Sequence, residues 1–382
     1  MKILIISNGY PEPRDPQWGC FEKDQALALQ SLGHEVSIMF FDRRFRKYWR
    51  RIGITKTADK GLKVYGMYYL PMRWLLLLSY TIYKYLLIRL YYLLYLRYEK
   101  EQGKPDVIYA HYLWNIAYSS LIRKKKHIPL VGIEHWSGLT KDVLSPQEID
   151  LGRKAYSNLD CLLSVSSSLQ SHIKRHFGKD SAIVYDMLGP EFVSTTFFPN
   201  KGRVFSFIAV GHLIKRKGFD LLLTAFEKSN LAKSGCEVII VGDGPERANL
   251  QKQAELLGVS EAVKLVGRKT KEEIVRLFQE SNVFVLSSRA ETFGVVCIEA
   301  LSQGLPNIAT ICGGPEEFIN ERNGILIPPE DVNAMSNAMV NIFKDNQMYN
   351  NKNIADDCKQ RFAPQVIAEQ LTNIFVEVVN YR

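Results

Sequence analysis

Cysteine is scarce and dispersed in this chain of 382 residues. Its six cysteines stand far apart, several of them inside apolar segments, and none shows the paired spacing of a zinc site. No short run of carboxylates has the ligand density of a calcium or magnesium cage. The sequence therefore predicts reduced core thiols, no metal and no other cofactor.

A long uninterrupted apolar run is also missing. The most hydrophobic stretch, residues 71–97, is broken by Lys84 and Arg89, so it falls short of the roughly 20 apolar residues that cross a bilayer. The first residues, Met1 to Gly9, lack the charged head, apolar middle and cleavage site of a signal peptide. We therefore expect a cytoplasmic protein.

Acidic residues are few in one part of the chain, where positive charge concentrates. Residues 1–200 carry a formal charge of +10 and the remainder −1, and residues 41–104 alone carry +11. This asymmetry predicts an anionic partner for the first half. We expect a membrane surface rather than nucleic acid, because no nucleic-acid recognition module is present.

Two segments, 43–51 and 72–98, combine basic residues with aromatic ones. Such a composition suits the headgroup region of an anionic bilayer. The alternative is an ordinary buried helix with a solvated basic face. We predict peripheral contact of both segments with the inner face of the cell membrane.

Short apolar strands alternate with amphipathic helices along the chain. Most strands are rich in Val and Ile without a period of two, as in parallel strands buried on both faces. The pattern predicts two doubly wound α/β domains, at 1–195 and 196–363, followed by a C-terminal helix within 364–382. The predicted strands are Lys2–Ser7, Glu35–Phe40, Asp106–His111, Leu130–His135, Cys161–Ser166, Phe205–Gly211, Glu237–Gly242, Val263–Gly267, Val283–Ser287 and Asn307–Ile311.

Two glutamates eight residues apart, Glu291 and Glu299, surround a predicted strand-turn-helix. Residues 283–286 favour a buried strand and 295–303 a helix, and the amides at such a helix start bind phosphate groups. A sugar nucleotide fits this order, with Glu299 accepting from ribose hydroxyls and Glu291 from hydroxyls of the sugar. The alternative is a strand-turn-helix with two surface glutamates.

The surrounding residues resemble the pattern E-[TGS]-F-G-x-V-x-x-E-A-x-x-x-G-x-P of the retaining sugar-nucleotide glycosyltransferases of family 4, also described as glycosyl transferases group 1. The resemblance covers nearly the whole chain and is firmest over 205–329. It implies the GT-B fold, in which two Rossmann-like domains face each other across a cleft and the C-terminal helix crosses back to the first domain. The matching residues are Glu291, Thr292, Phe293, Gly294, Val296, Glu299, Ala300, Gly304 and Pro306.

The sequence GHLIKRKG at residues 211–218 brings several cations to the end of a predicted strand. In the similar family pattern, G-R-x-x-x-x-K-G, both cations hold the departing diphosphate. Lys217 occupies the lysine position, but His212 stands where arginine is usual. A neutral histidine donates one hydrogen bond only, so the charge would come from His212 as an imidazolium or from Lys215 or Arg216.

The resemblance implies further ligands. His135 matches a first-domain histidine that contacts the donor sugar, and His111 ends the preceding strand, although a buried structural histidine would look the same. Gly19 matches a loop near the donor phosphates, unless it only punctuates a turn, and Arg268 would lie beside the base. The implied catalytic residues are His135, Lys217 and Glu291, and the implied substrate-binding residues are Gly19, His111, His212, Arg216, Arg268, Thr292, Phe293, Gly294, Val295 and Glu299.

The implied activity is retaining transfer of a sugar from a UDP- or GDP-sugar to a hydroxyl of a lipid-linked saccharide in polysaccharide biosynthesis. Lys217 and the amides of 292–294 would stabilise the leaving diphosphate without a metal. Glu291 would orient the sugar rather than attack it. The alternatives are a sugar-phosphate-dependent phosphorylase or synthase of the same fold, a non-catalytic nucleotide-sugar-binding protein, and a nucleotide-sugar epimerase.

Overall fold

A computed structural model of the protein describes residues 1–43, 45, 48–70, 80–194 and 204–381. The chain divides into two compact units. The first comprises Met1–Val165, Leu169–Tyr185 and Pro364–Arg382, and the second comprises Ser166–Ser168 and Asp186–Ala363. The predicted domain boundary at 195/196 lies outside the described residues, and residues 186–194 group with the second unit.

The first unit contains an eight-stranded sheet in the order β3-β4-β2-β1-β5-β6-β7-β8. Every pairing within it is parallel except that of β3 with β4. The strands are β1 (Lys2–Ser7), β2 (Glu35–Arg43), β3 (Gly53–Asp59), β4 (Leu62–Tyr69), β5 (Val107–His111), β6 (Leu130–Glu134), β7 (Cys161–Ser164) and β8 (Ala182–Ile183).

Helices of this unit connect the parallel strands, as the alternating sequence pattern predicts. They are α1 (Cys20–Ser31), α2 (Tyr80–Gln102), α3 (Leu113–Lys126), α4 (Pro146–Ser157), α5 (Ser167–Phe177), which begins among residues of the second unit, and α13 (Pro364–Asn380). The C-terminal α13 belongs to the first unit and packs on α1, so its predicted return to the first domain is confirmed. Its Phe375 is fully buried, with its ring centroid 5.2 Å from that of Tyr109.

Helix α2 contains the described part of the second segment predicted to contact a membrane. Lys84 is buried within it and pairs with Asp150 at 2.6 Å. The buried side chains recur at helical spacing and belong to the core: Leu87, Tyr91, Leu94, Tyr95 and Tyr98. The exposed side chains form a second stripe: Ile82, Tyr85, Arg89, Leu93, Arg97 and Lys100. In the described part of α2, this second stripe is the surface most accessible to a membrane.

No helix within the described ranges combines the length and apolar character needed to span a bilayer.

The second unit contains a six-stranded parallel sheet in the order β11-β10-β9-β12-β13-β14. Counted from β9, this is the doubly wound order 3-2-1-4-5-6, which reverses between β9 and β12. Ligands of such sheets bind beyond the carboxyl ends of the strands at the point of reversal. The strands are β9 (Ser206–Val210), β10 (Glu237–Val241), β11 (Val263–Gly267), β12 (Val283–Leu286), β13 (Asn307–Thr310) and β14 (Gly324–Ile327).

The helices of the second unit cover both faces of this sheet, whose strands are largely buried. They are α6 (Pro190–Ser194), α7 (Phe219–Lys228), α8 (Arg247–Leu256), α9 (Lys271–Glu280), α10 (Val295–Ser302), α11 (Val332–Asp345) and α12 (Asn351–Phe362). The predicted two α/β units with parallel sheets are thus confirmed.

The sequence analysis did not predict four of the described strands: β3, β4, β8 and β14. The β3–β4 pair is an antiparallel hairpin joined by Lys60 and Gly61, which both adopt positive φ values, 49° and 85°. Alternating side chains before a Lys-Gly turn are a hairpin signal that could have revealed it.

We predict that Phe375→Ala lowers the free energy of unfolding by about 3–5 kcal/mol, because it leaves a cavity where α13 packs on the first unit. Urea denaturation measures this change. Val376→Ala on the same helix is the matched control: its side chain is 41% exposed, so we expect a change within about 0.5 kcal/mol. Equal effects of the two substitutions would contradict the packing.

Candidate active site

The turn between β12 and α10 begins the candidate site of the second unit. Gly294 caps α10 with a φ of 90°, in the left-handed region that favours glycine. The predicted helix start at Val295 is therefore present. The first amides of a helix point along its axis and suit an anion, and here they lie at the carboxyl end of β12, where the strand order reverses.

Phe293 lies in this turn, but its ring is 1% exposed. It packs against Phe318 and Phe362 at centroid distances of 5.1 and 5.9 Å. Gly314 packs on the same turn, since a Cβ there would lie 2.2 Å from the carbonyl oxygen of Phe293. Phe293 can therefore offer a ligand only its backbone, and its side chain fixes the turn.

Lys217 and Glu291, two of the predicted catalytic residues, form an ion pair. The Lys217 ammonium donates to Glu291 Oε1 at 2.6 Å, and the fully buried Ser288 hydroxyl donates to the same oxygen at 2.6 Å. The Glu291 side chain is 8% exposed and that of Lys217 17%. A cation and an oriented carboxylate thus stand together beside the start of α10.

Arg289 and Ser287 fasten the turn of Lys217 to the loop after β12. The Arg289 amide donates to the Arg216 carbonyl at 2.8 Å, and the Ser287 hydroxyl donates to the Lys217 carbonyl at 3.0 Å. The Arg289 guanidinium donates to a third carbonyl, that of Lys215. The loop after β12 thereby donates hydrogen bonds to three successive carbonyl groups of residues 215–217, the cationic turn.

Two carboxylates complete the surroundings of Arg289. Asp220 accepts from its two Nη atoms at 3.0 and 2.8 Å, and Glu330 accepts from its Nε at 2.8 Å. The hydrogen bond from Asp220 is the main reason that the pKa of Arg289 is raised. The sequence analysis did not predict Arg289, Ser287 and Ser288 as site residues. Their position directly after a buried strand and next to the predicted ligand Glu291 could have indicated them.

His212 is exposed at the carboxyl end of β9, and its Nδ1 lies 2.6 Å from the carbonyl oxygen of Asp243. A carbonyl oxygen only accepts, so Nδ1 carries the proton and Nε2 is left for other partners. The backbones are close here because Gly242 has no side chain: a Cβ would lie 1.8 Å from the Gly211 carbonyl oxygen.

The other predicted ligands of the second unit, Glu299, Arg216 and Arg268, lie on three different elements. Glu299 is partly exposed on α10, about one turn after Val295, and Arg216 is partly exposed in the cationic turn. Arg268 is exposed after β11, which lies two strands away from β9 in the sheet. Arg268 is thus the predicted ligand placed farthest along the sheet order from the Lys217–Glu291 pair.

The first unit has an equivalent reversal of strand order, between β1 and β5. Asn8 follows β1, and its Oδ1 accepts from Trp114 Nε1 at 2.6 Å and from Asn115 Nδ2 at 3.1 Å. Trp18 Nε1 donates to the Asn8 carbonyl at 3.0 Å. Gly19 caps α1 with a φ of 78°, and a Cβ there would lie 2.2 Å from the Gly9 carbonyl oxygen.

His111 and His135 form a stacked pair at the ends of β5 and β6. His111 Nδ1 lies 3.2 Å from His135 Nε2, and the ring planes are 2° apart. Burial, and to a lesser extent His135, place the pKa of His111 well below its ordinary value, so this ring is neutral. His135 is partly exposed and can reach a ligand, whereas His111 supports it from the interior.

The buried Glu134 carboxylate fixes the backbone of His135 by hydrogen bonds. Its Oε1 accepts from the amides of His135 and Trp136 at 3.1 and 3.0 Å, and Oε2 accepts from the Tyr156 hydroxyl at 2.9 Å. Burial raises the pKa of this carboxyl group, and the hydrogen bonds oppose that effect. Sequence reasoning missed Glu134, whose position next to the predicted ligand His135 was the available signal.

Tyr112 introduces backbone strain next to the histidine pair. Its φ of 70° and ψ of 147° are rare for a residue with a side chain and cost on the order of 1–3 kcal/mol. Its ring stacks on Trp114 at 5.2 Å and tilts against His135 at 5.3 Å. Such strain recurs at functional sites. In the part of the chain that the structure describes, no group of three His, Cys, Asp or Glu side chains is placed to hold a metal ion.

Two family models match this chain one after the other. Residues 23–186 match Glycosyltransferase Family 4, and residues 197–356 match Glycosyl transferases group 1. TuaC of Bacillus subtilis, named for teichuronic acid biosynthesis, is 24% identical to this chain, and the alignment covers 94% of this chain and 92% of TuaC. An exopolysaccharide phosphotransferase of Streptomyces coelicolor is 31% identical over 44% of this chain, which corresponds to only 18% of that relative.

Solved structures are similar over almost the whole chain. The lipopolysaccharide outer core galactosyltransferase WaaB, in its apo form, has a TM-score of 0.74 at 19% identity, over 99% of this chain and 100% of that one. Anabaena HepE in complex with UDP-glucose has the same TM-score, identity and coverage. These likenesses show the GT-B fold. With both family models matched in sequence along this fold, the chain belongs to the family 4 and group 1 glycosyltransferases.

Proposed function

We propose that this glycosyltransferase moves a sugar from a nucleotide sugar to a saccharide acceptor during synthesis of a surface polysaccharide, with retention of configuration. The observation that carries the proposal is the Lys217–Glu291 pair beside the start of α10, at the strand reversal of the second unit. A cation, helix-start amides and a carboxylate there match a diphosphate attached to a sugar. The names of TuaC and WaaB and the UDP-glucose in HepE support this reading.

Each donor-site residue has one task in this proposal. Lys217 and the amides of 292–294 bind the diphosphate and stabilise the charge that develops on it as it leaves. Glu291 accepts from hydroxyls of the sugar and Glu299 from those of the ribose. Arg216 contributes positive charge towards the diphosphate, and Arg268 lies beside the base. The cations come from the protein, so the reaction needs no metal or cofactor.

The reaction itself exchanges one bond of the sugar carbon for another. The bond between that carbon and the leaving phosphate oxygen breaks, and a bond to the acceptor hydroxyl oxygen forms on the same face. The hydroxyl proton passes to the leaving phosphate oxygen. We further propose that the first unit contributes substrate ligands of its own, namely His135, which His111 and Glu134 support, and the loop of Gly19.

The acceptor is a lipid-linked saccharide in this proposal, and the first unit meets the anionic inner face of the cell membrane. Phe45 and Trp49 are 55% and 66% exposed, in a segment rich in arginine. Arg50 is buried against Glu12 at 3.0 Å and is no part of that surface. The exposed stripe of α2 mixes apolar, tyrosine and arginine side chains, as interfacial helices do.

Glu299→Gln and Glu291→Gln should separate nucleotide binding from transfer. We expect Glu299→Gln to weaken UDP or GDP binding about ten- to a hundredfold, because a charged acceptor of ribose hydroxyls is lost. Glu291→Gln should leave nucleotide affinity equal or higher, since Lys217 loses a competing carboxylate, but lower kcat about a hundredfold or more. Calorimetric titration with UDP, GDP and ADP and an assay of sugar transfer measure the two effects.

Glu255→Gln is the matched control, because it makes the same change at an exposed position of α8 in the same unit. Negligible effects of both test substitutions on binding and transfer would overturn the donor site. Sugar release that depends on inorganic phosphate and on no nucleotide would instead indicate a phosphorylase.

Charge reversal of Arg43, Arg44 and Arg46 to Glu should abolish most binding to liposomes that contain anionic lipid. Each base near such a surface contributes about 1 kcal/mol, so the loss of three should lower the partition coefficient about a hundredfold. Sedimentation with vesicles of phosphatidylglycerol and phosphatidylcholine measures it.

The control for charge reversal replaces Lys228, Lys233 and Lys252, three exposed bases of the second unit, by Glu. This variant has the same net charge as the test variant, and we expect it to bind vesicles like the unaltered protein. Binding that is indifferent to anionic lipid, or equally weakened in both variants, would remove the membrane from the proposal.

A further inference from the structure

Partly exposed aromatic side chains gather at the carboxyl edge of the first sheet. Three of the five tryptophans of the chain follow strands there: Trp18 after β1, Trp114 after β5 and Trp136 after β6. The strand order reverses between β1 and β5, and open α/β sheets bind ligands at such a reversal. Because tryptophan is well buried on average, partly exposed rings at this edge are candidates for contact with a ligand.

Tyr112, Trp114 and Trp136 contact one another, and we call these three residues the aromatic platform. Tyr112 and Trp114 stack with their ring centroids 5.2 Å apart and their planes 9° apart. Trp136 meets Trp114 edge to face at 5.8 Å. All three residues are partly exposed, so their rings offer carbon surface to solvent. The Tyr112 ring also lies 5.3 Å from that of His135, a proposed substrate ligand.

Hydrogen bonds and backbone geometry fix the platform before a ligand binds. The Trp114 indole N–H donates to Asn8 Oδ1 at 2.6 Å, and the Trp136 amide donates to the buried Glu134 at 3.0 Å. Tyr112 keeps its strained φ of 70°, which the surrounding structure must impose. Rings that are already oriented lose less conformational entropy when a ligand stacks on them.

The bonded indole N–H decides what Trp114 can recognise. Its only polar hydrogen is used on Asn8, so the ring offers a ligand carbon surface alone. A pyranose ring suits such a surface, because its hydroxyl groups radiate from the rim while C–H groups cover its faces. The Lys141 ammonium lies 5.6 Å from the Trp136 ring centroid and pairs with Glu148 at 3.3 Å, so a donor for sugar hydroxyls stands beside the platform.

We propose that the aromatic platform binds the saccharide acceptor by stacking against the C–H face of one of its pyranose rings. This inference rests on the proposed function, because a saccharide acceptor is part of it. A nucleobase also stacks on such rings, but the base of the donor has its proposed place beside Arg268 in the second unit. The platform therefore selects the acceptor by the shape of a ring face, and its hydroxyls are left for other partners.

The test is saturation-transfer NMR of the full chain with four soluble acceptor mimics. These are the methyl β-glycosides of glucose, galactose and N-acetylglucosamine, and methyl α-mannoside. We expect at least one of them to bind and to receive its strongest saturation at C–H protons that share one face of the ring. The dependence of the signal on glycoside concentration gives the Kd.

Substitutions on the platform should weaken this binding. Trp114→Ala and Trp136→Ala should each raise the Kd about tenfold or more, because carbon surface is lost, and two variants on separate elements keep the test independent of the folding of either. Trp114→Phe keeps an aromatic face and should raise the Kd by less than about threefold. Tyr118→Ala, the matched control, removes another partly exposed ring from α3 and should leave the Kd unchanged.

Calorimetric titration of the same variants with UDP, GDP and ADP separates this inference from the proposed function. Saturation of none of the four glycosides, or equal Kd values for the platform variants and Tyr118→Ala, would overturn the inference, while nucleotide that still binds leaves the donor site standing. Loss of nucleotide affinity instead of glycoside affinity in Trp114→Ala would assign the platform to the donor and overturn the inference as well. If no nucleotide and no glycoside binds, both proposals fail.

Discussion

Three successive carbonyl groups, those of Lys215, Arg216 and Lys217, accept hydrogen bonds from the loop that follows β12. The two loops can meet because β9 and β12 are neighbours in the sheet, although 72 residues of chain separate the end of β9 from the start of β12. The contact also needs Gly218, where a Cβ would lie 1.9 Å from the Ser287 carbonyl oxygen. With the backbones joined in this way, the Lys217 ammonium lies 2.6 Å from Glu291 Oε1.

The first unit places its candidate ligands by the same principle but with buried partners. Asn8 ties the loop after β1 to α3, and Glu134 ties the end of β6 to Tyr156 of α4. His111 is kept neutral by burial and lies 3.2 Å from His135. In each unit a partly exposed side chain, Lys217 in the second and His135 in the first, thus contacts buried side chains. These contacts restrict its orientation before any ligand binds.

The sequence predicted what depends on local pattern: the Val- and Ile-rich strands, the glycine at the start of α10 and the apolar spacing of α13. It could not predict contacts between distant residues, such as Arg289 with the carbonyls of 215–216, because a sequence shows residue types and not their partners. Phe293 illustrates the limit, since it matches a ligand-binding motif but its ring is in the core. The β3–β4 hairpin was missed because β3, at the sheet edge, is partly exposed and its polar alternation is unlike that of a buried parallel strand.

Under the proposed function, the pairing of Lys217 with Glu291 has a consequence for how a nucleotide sugar would bind. A diphosphate that takes the ammonium leaves Glu291, which is 8% exposed, with the Ser288 hydroxyl and without its cation. A buried carboxylate in that state is costly unless new donors replace the lost one. Hydroxyls of an attached sugar supply such donors, whereas a nucleoside diphosphate alone does not. The ion pair therefore favours a ligand that brings phosphate and sugar together, and it links recognition of the two halves of the donor through a single exchange of partners.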